Sequence, residues 1–187
     1  MELENTRLRI AGIESESFVD GPGIRFSIFT QGCPHNCPGC HNPGTHDFDG
    51  GHFIALTTIL EMIEENPLLD GVTFSGGDPF MQAKELIPLA REIKERGMNL
   101  VIYTGFTYEH LMALVPESPE YLELLSFADM LVDGPYVQAK RSLELKFRGS
   151  ENQRLIDVQE SLTRGTVVLH GIQLEEMRER PELFGEN

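Results

Sequence analysis

At 187 residues the chain is long enough for about one domain, which by surface-to-size scaling buries roughly 70% of its unfolded surface and needs no disulfide or metal staple. Its 40% hydrophobic and 24% charged content is that of a globular protein, and 15 basic against 30 acidic residues give a net charge of −15, which excludes nucleic acid and anionic membrane as partners for the surface as a whole. No apolar run nears the roughly 20 residues of a membrane span, and residues 1–5 are acidic and polar, unlike a signal peptide; a cytoplasmic location is expected, where cysteines stay reduced.

Taken in chain order, residues 8–13 and 24–30 have the composition of strands, with Asp20-Gly-Pro-Gly23 as the turn between them. The second strand runs into the stretch 31–42, QGCPHNCPGCHN, which holds all three cysteines of the chain, Cys33, Cys37 and Cys40. Three residues separate the first pair and two the second, so the thiolates can turn inward around one small object. Pro34 and Pro38 fix φ and remove backbone donors, and Gly39 relaxes the chain before Cys40, as suits a wrapping loop. Disulfide pairing fits an odd cysteine count poorly. Zinc needs a fourth ligand, for which His35, His41 and His46 are near enough in sequence. An iron-sulfur cluster, normally held by four thiolates, would with three leave one iron open to a ligand that is not protein.

Beyond the loop, Leu56, Ile59, Leu60 and Ile63 fall at helical spacing, so 55–66 is an expected amphipathic helix ended by Pro67. A short strand over 71–75 leads into Gly76-Gly-Asp-Pro79 and a helix carrying Leu86, Leu89, Ala90 and Ile93, with Pro88 expected to kink or divide it and Gly97 to cap it. Residues 99–104 form the next expected strand, Thr107 caps a helix with Tyr108, Leu111, Met112 and Val115 on one side, and Ser118-Pro119 opens another with Leu122 and Leu125 inward. Residues 128–132 form a fourth core strand, with 145–148 and 166–169 as two short additions. Alternating strands and helices imply βαβ units, a parallel sheet and a single domain over 1–187, whose acid-rich tail from 173 is expected to fray.

Cys33 and Gly76-Gly77 both follow strand ends, which places them on the face where α/β folds usually build sites. The glycine pair permits positive φ and close approach of a ligand to the backbone, although a plain β-to-α turn explains it as well. Tyr103-Thr-Gly-Phe106 stands at another strand end, and His52, His110 and His170 lie outside any ligand spacing. Lys140, Arg141, Lys146, Arg148 and Arg154 sit among only two acids, Glu144 and Glu151, either as a docking patch for an acidic partner or as a solvated face.

Cys33-x-x-x-Cys37-x-x-Cys40 resembles the signature of the radical S-adenosylmethionine superfamily, in which three cysteines hold a four-iron four-sulfur cluster and the cofactor chelates the fourth iron. VDGPGIRFSIFTQ over 19–31 and the CHN after it look like the activating enzymes of glycyl-radical proteins. CPGC, DMLVDGPY over 129–136 and LKFRGSENQRLID over 145–157 are similar to the activating proteins of anaerobic ribonucleoside-triphosphate reductase, so the resemblance covers 19–157. Gly39 and His41 stand where many members carry an aromatic residue.

The resemblance implies a partial (β/α) barrel of about five or six mostly parallel strands, Cys33, Cys37 and Cys40 as cluster ligands, and S-adenosylmethionine bound near Gly39, Cys40, His41, Gly76, Gly77, Asp78, Thr104 and Asp133. It implies reductive cleavage of that cofactor to a 5′-deoxyadenosyl radical, which makes a glycyl radical on anaerobic ribonucleoside-triphosphate reductase, with a donor such as flavodoxin. The alternatives are activation of another glycyl-radical enzyme such as pyruvate formate-lyase, and a zinc-binding module without turnover.

Overall fold

The computed structural model describes residues 2–184. After the short α1 (Glu2–Asn5) come β1 (Arg7–Ser17) and β2 (Arg25–Thr30), then β3 (His52–Ala55), α2 (Leu56–Glu64), β4 (Gly71–Gly76), α3 (Ala83–Glu95) and β5 (Asn99–Tyr103). They are followed by α4 (Tyr108–Leu114), α5 (Glu120–Phe127), β6 (Met130–Asp133), β7 (Arg154–Asp157), α6 (Val158–Arg164) and α7 (Gly171–Glu179). No helix among the described residues is long and apolar enough to cross a membrane.

The strands form one open, seven-stranded mixed sheet in the order β3-β1-β2-β4-β5-β6-β7. β2, β4, β5 and β6 run parallel, while β1, β3 and β7 pair antiparallel. The expectation of five or six mostly parallel strands is thus corrected. The reason is connection length: the turn between β1 and β2 is too short for a parallel crossover, which takes a dozen or more residues.

Alternation along the parallel strands sorts the two faces of the sheet. Phe26 and Ile28 of β2, Val72 and Phe74 of β4 and Leu100 and Ile102 of β5 are buried against the helices, where they meet Ile59, Leu86, Leu89 and Leu111. Each such side chain contributes about 1.5–3 kcal/mol over an exposed one, which is what holds the helical layer in place. The opposite face carries a smaller apolar group, Val101, Met130, Val132 and Leu155, beside buried Arg25, Ser27 and Thr73.

Arg25 closes this face at the end where the parallel strands begin. Its guanidinium donates to the carbonyls of Val72 at 2.6 Å and Asn99 at 3.2 Å, to Thr73 Oγ1 at 3.1 Å and to the Pro22 carbonyl at 3.3 Å, so it ties β2, β4, β5 and the turn before β2 together. Burial pulls its pKa down to about 10, against the weaker opposing pull of distant Tyr103, Asp129 and Asp70, and it stays charged at neutral pH.

Several local expectations change. Pro88 does not divide its helix: α3 runs through it from Ala83 to Glu95, with the proline forfeiting one hydrogen bond while its ring is buried. Leu122 is exposed, while Leu124 and Leu125 turn inward. Residues 145–148 form turns rather than a strand, since Arg148 must fold inward to reach Glu176. Over 166–169 only Leu169 bridges to Ile156, and the strand itself is β7. In the tail, α7 is helical over Gly171–Glu179 and buries Gln173 and Glu176; residues 185–187 lie outside the described ones.

Candidate metal-cluster site

The parallel pairing of β2, β4, β5 and β6 brings their C-terminal ends together, and the four segments that follow them enclose one open cavity of about 530 Å³. Cys33, Cys37 and Cys40 line it, together with Gly76, Gly77 and Thr104 from the neighbouring strand ends. All three cysteines are unpaired and half-buried.

The loop is fixed by backbone contacts at both ends. Cys33 N–H donates to the His46 carbonyl at 3.3 Å and Gly32 N–H to that of Thr45 at 2.8 Å, while Cys40 N–H closes a turn onto Cys37 at 3.1 Å. Buried Gln31 supports the returning segment through Nε2, which donates to the carbonyls of Gly44 at 3.0 Å and Asp47 at 2.6 Å. Asn36 takes a φ of 46°, a left-handed conformation that asparagine tolerates better than most residues, and so turns the chain between Cys33 and Cys37.

Asp78 locks this loop to two strand ends. It is fully buried, and its Oδ2 accepts from Thr104 Oγ1 at 2.8 Å and Gly105 N–H at 3.0 Å and meets His35 Nε2 at 2.7 Å, while Oδ1 accepts from Phe80 N–H at 3.0 Å. His35 lies between the first two cysteines, and its ring packs edge-on against Phe106 with centroids 4.5 Å apart. A side chain at Gly105 would strike the His35 ring, and one at Gly77 would strike the Gly32 carbonyl, so both glycines serve close packing of the loop.

The expected site residues therefore divide. Cys33, Cys37, Cys40, His41, Gly76, Gly77 and Thr104 share the cavity; Gly39, Asp78 and Asp133 do not line it. Gly39 lies against the side chain of Gln138, and Asp133 is buried with its carboxylate receiving Tyr108 N–H at 2.8 Å and Arg154 Nε at 3.0 Å. The Thr104 hydroxyl donates to Asp78 and accepts from Phe106 N–H, so it faces any cofactor already engaged. His41 stacks on Tyr136 with centroids 4.9 Å apart, a contact that sequence spacing gives no means of finding.

Burial pushes the Cys33 thiol up, and Asp78, Cys37 and Cys40 add to this against a backbone hydrogen bond near His35. A thiolate here gains from a cationic partner such as iron. Among the described residues no three His, Cys, Asp or Glu side chains are grouped closely enough to hold a single metal ion. A cube of iron and sulfide is a larger object gripped at separate corners, and three thiols around a cavity of this size fit it.

Residues 19–156 match a family model described as a 4Fe-4S single cluster domain. The chain belongs to this family. It is similar to the anaerobic ribonucleoside-triphosphate reductase-activating protein of Enterobacteria phage T4, with 32% identity over 144 residues, which cover 74% of this chain and 86% of that protein. The same-named protein of Escherichia coli K12 is 32% identical over 145 residues, covering 72% and 89%. The pyruvate formate-lyase-activating enzyme of Clostridium pasteurianum is 37% identical over 130 residues, covering 66% of this chain and 50% of that enzyme. The matched residues thus span the cysteine loop and the C-terminal ends of β2, β4, β5 and β6, which favours the cluster over the zinc reading.

Proposed function

We propose that this protein is a radical S-adenosylmethionine enzyme that generates a glycyl radical on anaerobic ribonucleoside-triphosphate reductase. The observation that carries the reading is the meeting of three unpaired thiols with the Gly76-Gly77 backbone and Thr104 in one open cavity. Cys33, Cys37 and Cys40 hold the cluster. Gly76, Gly77 and the Thr104 backbone take the amino-acid end of S-adenosylmethionine, with Cys40 and His41 beside it. When bound, the two cofactors supply a one-electron reductive cleavage whose 5′-deoxyadenosyl radical removes a hydrogen atom from a glycine of the partner.

The chain's own work is to bind, orient and keep reactive groups away. His35 and Asp78 hold the cysteine loop against β4 and β5, which orients the loop that would hold the cluster. The Tyr103 hydroxyl donates to the Phe147 carbonyl at 2.7 Å, and burial pushes its pKa up far beyond the neutral range, so it lines the cavity as a neutral wall. The parallel run of β2, β4, β5 and β6 within an open sheet supports the reading of a partial (β/α) barrel, whose unclosed side admits a peptide. A flavodoxin or similar cytoplasmic donor supplies the electron.

The test is anaerobic incubation of the cluster-loaded protein with S-adenosylmethionine, a reductant and the reductase, read by electron paramagnetic resonance. A glycyl radical is expected. Its absence with intact cluster present sinks the assignment. Similarity to a pyruvate formate-lyase-activating enzyme makes pyruvate formate-lyase the second substrate to test, and a radical on it alone would move the assignment there.

A further inference from the structure

The segment that follows β6 forms a shelf beside the cysteine loop. Tyr136 stacks on His41, and Gln138 packs against Gly39 closely enough that a side chain there would clash. The shelf is rigid. Its two arms join where Ser142 N–H donates to the Gly149 carbonyl at 3.2 Å and Glu151 N–H to that of Lys140 at 2.9 Å, and Val137 N–H donates to Ser150 Oγ at 3.2 Å. Between shelf and loop lies an open groove lined by Pro38, Tyr136, Val137, Gln138 and Ala139.

The shelf carries exposed Lys140, Arg141 and Lys146 and, at its tip, Leu143 with 85% of its surface exposed. Among the described residues none of these three cations has an ion-pair partner. Two of the nearby acids are spent elsewhere, Glu144 on Arg180 and Glu176 on Arg148. Glu151 pairs with no cation among the described residues, although its N–H bonds to Lys140. In a chain with a net charge of −15, a set of unpaired cations beside an apolar tip is a local reversal of the surface.

We propose that this shelf docks an acidic segment of the glycyl-radical protein next to the loop that carries its glycine. The proposal rests on the function proposed above, which requires a polypeptide to reach the cysteines. A partner entering there covers the shelf, and covering unpaired ammonium and guanidinium groups is unfavourable unless carboxylates meet them. The groove accepts the extended chain, and Leu143 meets an apolar side chain. Because the shelf touches the cysteine loop through His41 and Gly39, docking also holds that loop.

The test compares wild type with the Lys140→Glu/Arg141→Glu and Lys140→Gln/Arg141→Gln double variants. Both positions are exposed, and their structural contacts run through the backbone. Affinity of the cluster-loaded protein for the full-length reductase is measured anaerobically at low and high salt, alongside 5′-deoxyadenosine formation with dithionite in the absence of partner. Expected are a wild-type affinity that weakens with salt, about tenfold or greater loss in the Glu variant, an intermediate loss in the Gln variant, and unchanged partner-free cleavage. If wild type binds and the Glu variant binds as tightly with the same salt dependence, this proposal is overturned alone. If wild type does not bind the reductase at all, the functional reading falls and the docking proposal with it.

Discussion

The two ends of the parallel strands meet opposite demands with the same backbone. Where the strands begin, one charged side chain, Arg25, satisfies itself on carbonyls of three segments and seals the sheet. Where they end, the chain opens into a cavity whose wall is thiols, glycines and an engaged threonine. Arg25 is buried and spends its guanidinium on acceptors inside the fold, so it belongs to stability. The cysteines form no disulfide and are held by backbone N–H groups of their own loop, such as Asn42 N–H on Cys40 Sγ at 3.4 Å, so their thiols stay open to the cavity and belong to chemistry. Asp78 stands between these roles, since every one of its contacts is structural and one of them is His35 of the cysteine loop.

That contrast breaks most visibly at Arg25. Replacing it with Met leaves buried carbonyls without donors, and a loss of about 3–5 kcal/mol in unfolding free energy is expected from denaturant melts. A loss under about 1 kcal/mol would mean that water replaces the guanidinium. Asp78→Ala is next, at about 2–4 kcal/mol, because the N–H groups of Phe80 and Gly105 lose their acceptor. Unlike Arg25→Met, it should also speed loss of iron from the refolded protein, as followed by visible absorbance during chelation. Equal iron retention in the two variants at matched stability would show that the His35 contact does not brace the loop.

Cys33→Ala sharpens the comparison from the other side. It should change the unfolding free energy of the metal-free protein by less than about 1 kcal/mol while abolishing cluster incorporation, since the thiol is half-buried and unpaired. The smallest effect is expected at exposed Arg164, whose pairing with Glu160 one helical turn away is worth about 0.3–0.5 kcal/mol, so that Arg164→Ala leaves both stability and iron content near wild type.

The sequence made the chemistry legible sooner than the architecture. Cysteine spacing and the glycine pair after β4 pointed to one face because strand ends carry sites, and the parallel pairing of β2 with β4 puts them there. Helices with strong periodicity, α2 and α3, were equally plain. What stayed hidden was long-range: β3 and β7 are four-residue strands whose partners lie far away in sequence, and LKFR reads as a strand only until Arg148 is seen to bond Glu176. Asp78 and Asp133 stood among the residues expected near the cofactor, and the carboxylates of both accept donors from distant segments, which spacing does not encode.

The central claim is that three thiols at the open end hold an iron-sulfur cluster. Anaerobic purification followed by iron, sulfide and zinc analysis tests it most directly. About four irons and four sulfides per chain are predicted, with both lost in Cys33→Ala, Cys37→Ala and Cys40→Ala. One zinc per chain, with no iron or sulfide retained after anaerobic reconstitution, would contradict it.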